Sequence, residues 1–377
     1  MHRGLMAQRV VRDVDVIAHA GLDVDTFLEE AMASISRAVP SVAACVATVD
    51  PGTLLLTATR KYGDLKGRDE QDREWGMLEY GEVESSSFRE LARQDVPAVA
   101  MSELTAREGR PSRRIEGFMV PYFGFTDELR VALRDHGQVW GAASLFRGAD
   151  SPTFDADDLA LMASLSELMS TGVRTGLLTR VASGAVPTPT GPAVIIVDGA
   201  GNIQQISTGA EERLLDLVGN ETSAEATGVI GALVGAALRF AAGLTDLPPR
   251  ARVRSRSGQW LVLHAARLSP RSDGGGGEVV VTIDEARPPE IVPIVVAAFD
   301  LTVRERDVTQ LVLQGVDTKE IAATLHVSSY TVQDHLKSIF EKADVRSRRE
   351  LIARIYFDQY VPRLNTAIGP DGWFASV

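Results

Sequence analysis

Residues 301–352, LTVRERDVTQLVLQGVDTKEIAATLHVSSYTVQDHLKSIFEKADVRSRRELI, restrict the fold most, because helix start signals, stop signals and apolar spacing recur there at short range. Thr302 is placed to N-cap a first helix, and Glu305 three residues on completes a capping box. Val308, Leu311 and Val312 give that helix one apolar face, and Gly315 ends it. A second helix is predicted from about Thr318 to Leu325, with Ile321, Ala322 and Leu325 inward. His326-Val327-Ser328 makes a tight turn, and Ser328 or Ser329 caps a third helix beginning near Tyr330. Val332, Leu336, Ile339 and Phe340 recur at helical spacing in it. Its other face carries Gln333, Asp334, Lys337, Glu341 and Lys342. A fourth helix, from about Ser347 to Tyr356, closes an all-α four-helix unit over residues 297–365. A short helix, a tight turn and a longer helix with a polar, partly basic face suit a major-groove reader.

The motifs L-T-x-R-E-R-x-V, G-x-x-x-K-E-I-A, T-V-x-x-H-L and V-R-S-R follow one another here over about fifty residues. On these the segment resembles the LuxR/NarL-type helix-turn-helix family. The resemblance implies that the helix from about Ser329 to Ala343 enters the major groove of double-stranded DNA. Gln333, Asp334 and Lys337 then stand where the family reads base edges. Thr318, Lys319, Thr331, Arg346 and Ser347 stand where it touches phosphates. Gln can pair bidentately with adenine, Lys donates to guanine, and Asp can accept from cytosine N4. Asp334 has a second reading, as a solvated residue paired with Lys337 one turn further along. His335, inside T-V-x-x-H-L, is read as orienting the recognition helix.

The formal net charge of −12 looks hostile to nucleic acid, but its distribution matters more than its sum. Residues 299–364 hold ten basic and ten acidic residues, so the remaining 29 basic and 41 acidic residues carry all of it. DNA binding by a neutral unit must rest on local placement of Lys337, Arg346, Arg348 and Arg349. Modest monomer affinity follows, with a homodimer supplying the rest.

A chain of 377 residues, 45% hydrophobic and 24% charged, has room for two or three ordinary globular domains. Two punctuated breaks divide it: ASGAVPTPTGPA at 182–193 and ARPPEIVP at 286–293. Residues 1–181 read as mixed α/β. Two helices, roughly 5–20 and 25–38, precede the strands SVAACVATVD and TLLLTATRKY. ELRVALR and QVWGAASLFR flank Asp135-His136-Gly137 as a hairpin, with Leu129, Val131 and Leu133 alternating. Phe154-Asp155 opens a long helix to about Leu178, whose stripe of Leu161, Leu165 and Leu168 is expected at a dimer interface. This order, with R-V-A-L-R, W-G-A-A-S-L-F-R and F-D-A-D-D-L, is similar to a GAF sensor domain. Residues 190–286 place two strands around Asp198-Gly199, then helical segments, then a three-strand return with a hairpin loop at Gly274 to Gly277. That order resembles a PAS domain, although Ser207 and Thr208 stand where an asparagine is often found. The expected fold class is therefore multidomain: an α/β GAF-like sensor, an α/β PAS-like domain and the C-terminal helix-turn-helix.

Catalytic constellations are absent: there is no G-x-x-x-x-G-K-[ST] loop, G-x-S-x-G elbow or H-E-x-x-H. Six histidines and one cysteine show no metal-ligand spacing, so no metal, cofactor or enzymatic activity is expected. A single cysteine, Cys45, allows no intramolecular disulfide and fits a reducing cytoplasm; it reads as a small buried hydrophobe. The N-terminus lacks the apolar core of a secretion signal. Residues 228–244 fall short of the roughly twenty needed to span a bilayer and carry Arg239. A buried helix is the reading there, although Gly231 and Gly235 have the spacing of a membrane dimerisation pattern. Pockets are mostly aromatic and apolar, which makes Trp75, Tyr80, Tyr122 and Trp140 candidates for lining one. His264 joins them if the strand face it shares with Val262 and Ala266 is the buried one. The functional expectation is a DNA-binding transcription regulator controlled by a small-molecule or partner signal. The alternative is a constitutive DNA-binding protein whose front domains serve only dimerisation or partner recruitment.

Overall fold

His136 and Gly137 hold positive φ values of 46° and 77° and turn the chain between its two longest strands. Two consecutive positive φ values match the right-handed twist of a two-residue hairpin, which explains the Asp-His-Gly signal. The computed structural model describes every residue except 1, 82–83, 111, 180–192, 219–224, 270–276 and 358–377. The break expected at 182–193, except for Ala193, and most of the Gly274 to Gly277 loop therefore lie outside the described residues. The chain forms two units, Met1–Glu285 and Ala286–Val377.

In the first unit, α1 (His2–Ala18) and α2 (Val24–Ile35) lead into β1 (Ala43–Val49) and β2 (Leu56–Gly63). Then come α3 (Asp72–Gly81), α4 (Phe88–Leu91), β3 (Ala98–Ala100), α5 (Met101–Glu108), a π-type turn (Ile115–Met119) and α6 (Val120–Phe123). The hairpin β4 (Phe125–Asp135) and β5 (Gln138–Gly148) and the long α7 (Ala156–Leu178) close this region. Its sheet runs β2-β1-β5-β4-β3, antiparallel throughout. Asp155 caps α7 in a capping box with Asp158. The apolar stripe of α7 is covered within the chain, by α1, α2 and β4. Gly172 admits the Phe27 ring of α2 directly against the α7 backbone. These two N-terminal helices supply the cover that a partner subunit was expected to provide.

A second antiparallel sheet follows, in the order β7-β6-β10-β9-β8. Its elements are β6 (Ala193–Val197), β7 (Ile203–Ile206), α8 (Ala210–Val218), α9 (Glu225–Ala241), β8 (Arg250–Arg254), β9 (Trp260–Arg267) and β10 (Val279–Glu285). The Asp198 carboxylate shapes the β6–β7 turn by accepting from the Ala200 and Asn202 backbone N–H groups at 2.9 and 2.8 Å. Leu233 of α9 packs with Ile195, Leu263 and Val281 of the sheet as one core. The glycines of α9 have a packing role. A Cβ at Gly76 of α3 would lie 2.8 Å from the Ala232 nitrogen, and one at Gly235 would lie 3.0 Å from the Gly81 nitrogen. The two helices therefore touch backbone to backbone, and no helix among the described residues is long and apolar enough to cross a membrane. Asp50 and Arg252 join the sheets with hydrogen bonds of 2.8 Å (Nε) and 2.6 Å (Nη2).

The second unit is all-α: α10 (Pro288–Ala298), α11 (Val303–Leu313), α12 (Thr318–Leu325), α13 (Ser329–Lys342) and α14 (Arg348–Ile352), continued by a π-type turn (Ala353–Phe357). The Pro-rich stretch expected as a break is helical from Pro288, because proline fits the first helical turn and Glu290 caps back to the Arg287 N–H at 2.8 Å. His326 ends α12 with φ 57°, a left-handed position that glycine usually takes. The expected fold class holds: two α/β regions followed by an all-α helical unit.

Candidate nucleic-acid interface and sensor cavity

The capping box at the start of α11 forms as expected, with the Thr302 N–H donating to Glu305 at 2.7 Å. Glu305 is only 4% exposed and reaches further. It accepts from the Ser338 hydroxyl at 2.6 Å and from Lys342 Nζ at 2.8 Å, both on α13. Burial alone would raise its pKa, but the Lys342 ammonium, the Ser338 hydroxyl and the Thr302 N–H hold it at about 2. Lys342 is exposed, as expected of the outward face, and its ammonium reaches back along the helix end to donate also to the Asp300 carbonyl at 2.9 Å. Asp317 caps α12, accepting from the Lys319 and Glu320 N–H groups at 2.8 and 2.9 Å.

With Val332, Leu336 and Ile339 buried, α13 turns Tyr330, Gln333, Asp334, Lys337 and Glu341 outward. Gln333, Lys337, Glu341 and Arg346 line one open groove floored by Leu336 and Phe340. Asp334 stands outside it and makes no ion pair among the described residues, so the pairing with Lys337 is not formed. Lys319 is exposed and Thr318 half-buried at the start of α12. Two of the hydroxyls are already engaged: Thr331 Oγ1 lies 2.9 Å from Ser328 Oγ, and Ser347 Oγ caps α14 by accepting from the Glu350 N–H at 3.2 Å. Arg348 is spent internally on the Val316 carbonyl.

In the first unit a cavity of about 50 Å³ lies between the sheet and α3, lined by Cys45, Lys61, Asp72, Trp75, Tyr80 and Arg114 among others. Beside it runs a buried charge network. Arg114 grips Glu128 with bonds of 2.7 and 3.1 Å. Arg130 spans Glu128 at 3.2 Å and Glu79 at 2.5 Å, and Ser144 donates to Glu128 at 2.6 Å. Burial disfavours the Glu128 carboxylate, yet Arg114 and Arg130 outweigh it and hold its pKa below the usual range. Lys61 donates to Asp69 and Asp72 at 2.7 and 2.5 Å. The Arg114 guanidinium sits 5.5 Å from the Trp75 ring centroid, and that of Arg130 4.1 Å from the Phe88 ring. Burial, then Asp72, pushes the Cys45 thiol up to about 12, so it is no thiolate at neutral pH.

The family model for bacterial regulatory proteins of the luxR family matches residues 300–355. The spore germination protein GerE of Bacillus subtilis is 38% identical over 55 residues, which are 15% of this chain and 74% of that protein. The chain belongs to the LuxR family of bacterial regulatory proteins. A putative HTH-type transcriptional regulator from the exeN 3′ region of Aeromonas salmonicida is 43% identical over 67 residues, 18% of this LuxR-family chain and 32% of that protein. The chain spans about a third or less of the length of the first curated relatives it matches. A solved GAF domain of a phosphoenolpyruvate-protein phosphotransferase from Coxiella burnetii is 12% identical, with 45% of this chain and 93% of that one covered and a TM-score of 0.28. Likeness at that level leaves the N-terminal fold to be read from the chain's own sheets.

Among the residues proposed from sequence to line a pocket, Trp75 and Tyr80 of this LuxR-family chain meet at the cavity. The other three do not. Trp140 is 1% exposed and sits in the core, away from the cavity lining. Tyr122 is 40% exposed at the end of a short helix, its ring tilted against Phe118 at 5.1 Å between centroids. His264 faces outward on β9, because the core takes the Leu263 and Ala265 face of that strand. Sequence reasoning missed Lys61, Asp72, Glu79, Arg114 and Ser144. The available signal was Glu128 and Arg130 flanking Leu129 in the middle of a strand, charges that demand buried partners once both sheet faces are covered.

Proposed function

We propose that this chain is a sequence-specific DNA-binding transcription regulator that acts in the cytoplasm as a homodimer. Its N-terminal α/β regions are read as sensors that respond to a small molecule or partner. The proposed division is a GAF-like domain over 1–181, a PAS-like domain over 190–286 and a DNA-binding domain over 297–365. The observation that carries the reading is the outward face of α13, where Gln333 and Lys337 share a groove with Arg346. Two side chains able to read base edges stand beside a cation suited to a phosphate, on a helix fixed by a buried core. Asp334 is assigned to the base-reading set and Thr318, Lys319, Thr331 and Ser347 to the phosphate set on the same reading. For the sensor half, the supporting observation is a cavity with aromatic walls and charges of both signs.

In vitro selection of bound DNA from a random library, wild type beside Lys337→Ala, tests the proposal. An inverted repeat enriched by wild type and lost in the variant is the expected result. No enrichment by either the full chain or residues 297–377 would overturn it. Enrichment by the fragment alone would mean that the resting chain is held off DNA.

A further inference from the structure

We propose that a second cavity in the first unit, between α4 and α9, binds a small oxyanion held by Arg89 and Arg239. This cavity, of about 50 Å³, is lined by both arginines and by the hydroxyl-bearing Thr53, Ser87, Tyr80 and Thr245. Such a volume admits a few waters or one oxyanion. Arg89 makes no hydrogen bond or ion pair among the described residues. Arg239 has no carboxylate partner there either; its Nη2 donates to the Leu244 carbonyl at 3.2 Å. The two carboxylates that reach the cavity are committed elsewhere, Glu79 to Arg114 and Arg130 and Glu90 to Arg93. Thr53 Oγ1 is buried with no hydrogen-bond partner.

Two guanidinium groups and an orphan hydroxyl thus converge on one pocket whose two carboxylates, Glu79 and Glu90, are ion-paired to other arginines. A phosphate- or carboxylate-type anion offsets the repulsion between the arginines and accepts their paired N–H donors in a fork that fits either oxyanion. Burial first, then the proximity of Arg239 and Arg93, lowers the Arg89 pKa, and the neighbouring Glu90 offsets this only in part. The bound anion bridges α4 of the first α/β region to α9 of the second.

Thermal denaturation of the full chain in inorganic phosphate, in sodium acetate and in chloride at matched ionic strength tests this without involving DNA. In wild type the melting temperature should rise with phosphate or acetate relative to chloride, and the responding salt identifies the oxyanion type. In Arg89→Gln and Arg239→Gln the half-maximal concentration should increase at least tenfold. In chloride alone Arg89→Gln should melt no lower than wild type, since it relieves a repulsion; this arm separates loss of the site from loss of the fold. A clearly lower melting point there would make Arg89 a structural residue and overturn the proposal. Equal responses in wild type and both variants would mean an adventitious ion only, and no wild-type response to either anion would likewise overturn it.

Discussion

The Ser338 hydroxyl donates a 2.6 Å hydrogen bond to Glu305, tying the middle of α13 to the first turn of α11. Because Lys342 and the Thr302 N–H share the same carboxylate, α13 is held by the cap of another helix.

Acid should loosen that tie. The folded Glu305 carboxyl titrates at about 2, against an ordinary value of 4.5, so the stability it contributes is present above 4.5. It is lost as pH falls from 4.5 toward 2, because only the unfolded chain takes up the proton in that interval. Glu305→Gln should cost about 1–3 kcal/mol at neutral pH. Calorimetric melts of the C-terminal unit between pH 3 and 7 should show a smaller gap from wild type at the acid end.

On DNA, Lys337→Ala and Arg346→Ala should fail differently. The first should cost about 1–3 kcal/mol on a selected site and relax preference at one base. The second should weaken all sequences alike and reduce the salt slope by about one. Binding titrations on specific and random duplexes at several salt concentrations separate the two, and equal, sequence-independent losses would make Lys337 a phosphate contact.

Gly76→Ala should destabilise the first unit by about 1–3 kcal/mol, since the new methyl group meets the backbone of α9 rather than a yielding side chain. In urea denaturation the transition of the first unit should move to lower concentration while that of the C-terminal unit stays in place.

Glu128→Gln should cost about 3–5 kcal/mol, because it leaves Arg114 and Arg130 as buried cations with Glu79 as their remaining carboxylate. Restoring much of the loss with a second change, Arg114→Met, would show that uncompensated charge is the cause. Denaturant melts of the single and double variants give the coupling.

The helical unit was largely legible because its signals are local. The Thr302–Glu305 box, the bounds of α12 and the cap at Ser328 each lie within four residues of the element they define. The cavity was not. Alternation of Leu129, Val131 and Leu133 marks one buried face of β4, yet Glu128 and Arg130 on the other face are also 0% exposed. Their partners, Glu79 and Arg114, arrive from a helix and a turn that no spacing rule connects to the strand. The small-residue spacing of Gly231 and Gly235 did announce a close helix contact, but the pattern alone does not say that the facing helix is α3. His264 misled for a related reason: which face of a strand is covered depends on what folds over it.

The α3–α9 contact has a mechanical consequence. Trp75, Gly76 and Tyr80 of α3 line the cavity, and Gly76 and Gly81 also seat the helix on the glycines of α9. Side chains ordinarily absorb small displacements by changing rotamer, but glycines have none to change. Any push on α3 from within the cavity must therefore move α9 as a body or open a gap between the helices, so the seam works as a stiff joint between the two sheets.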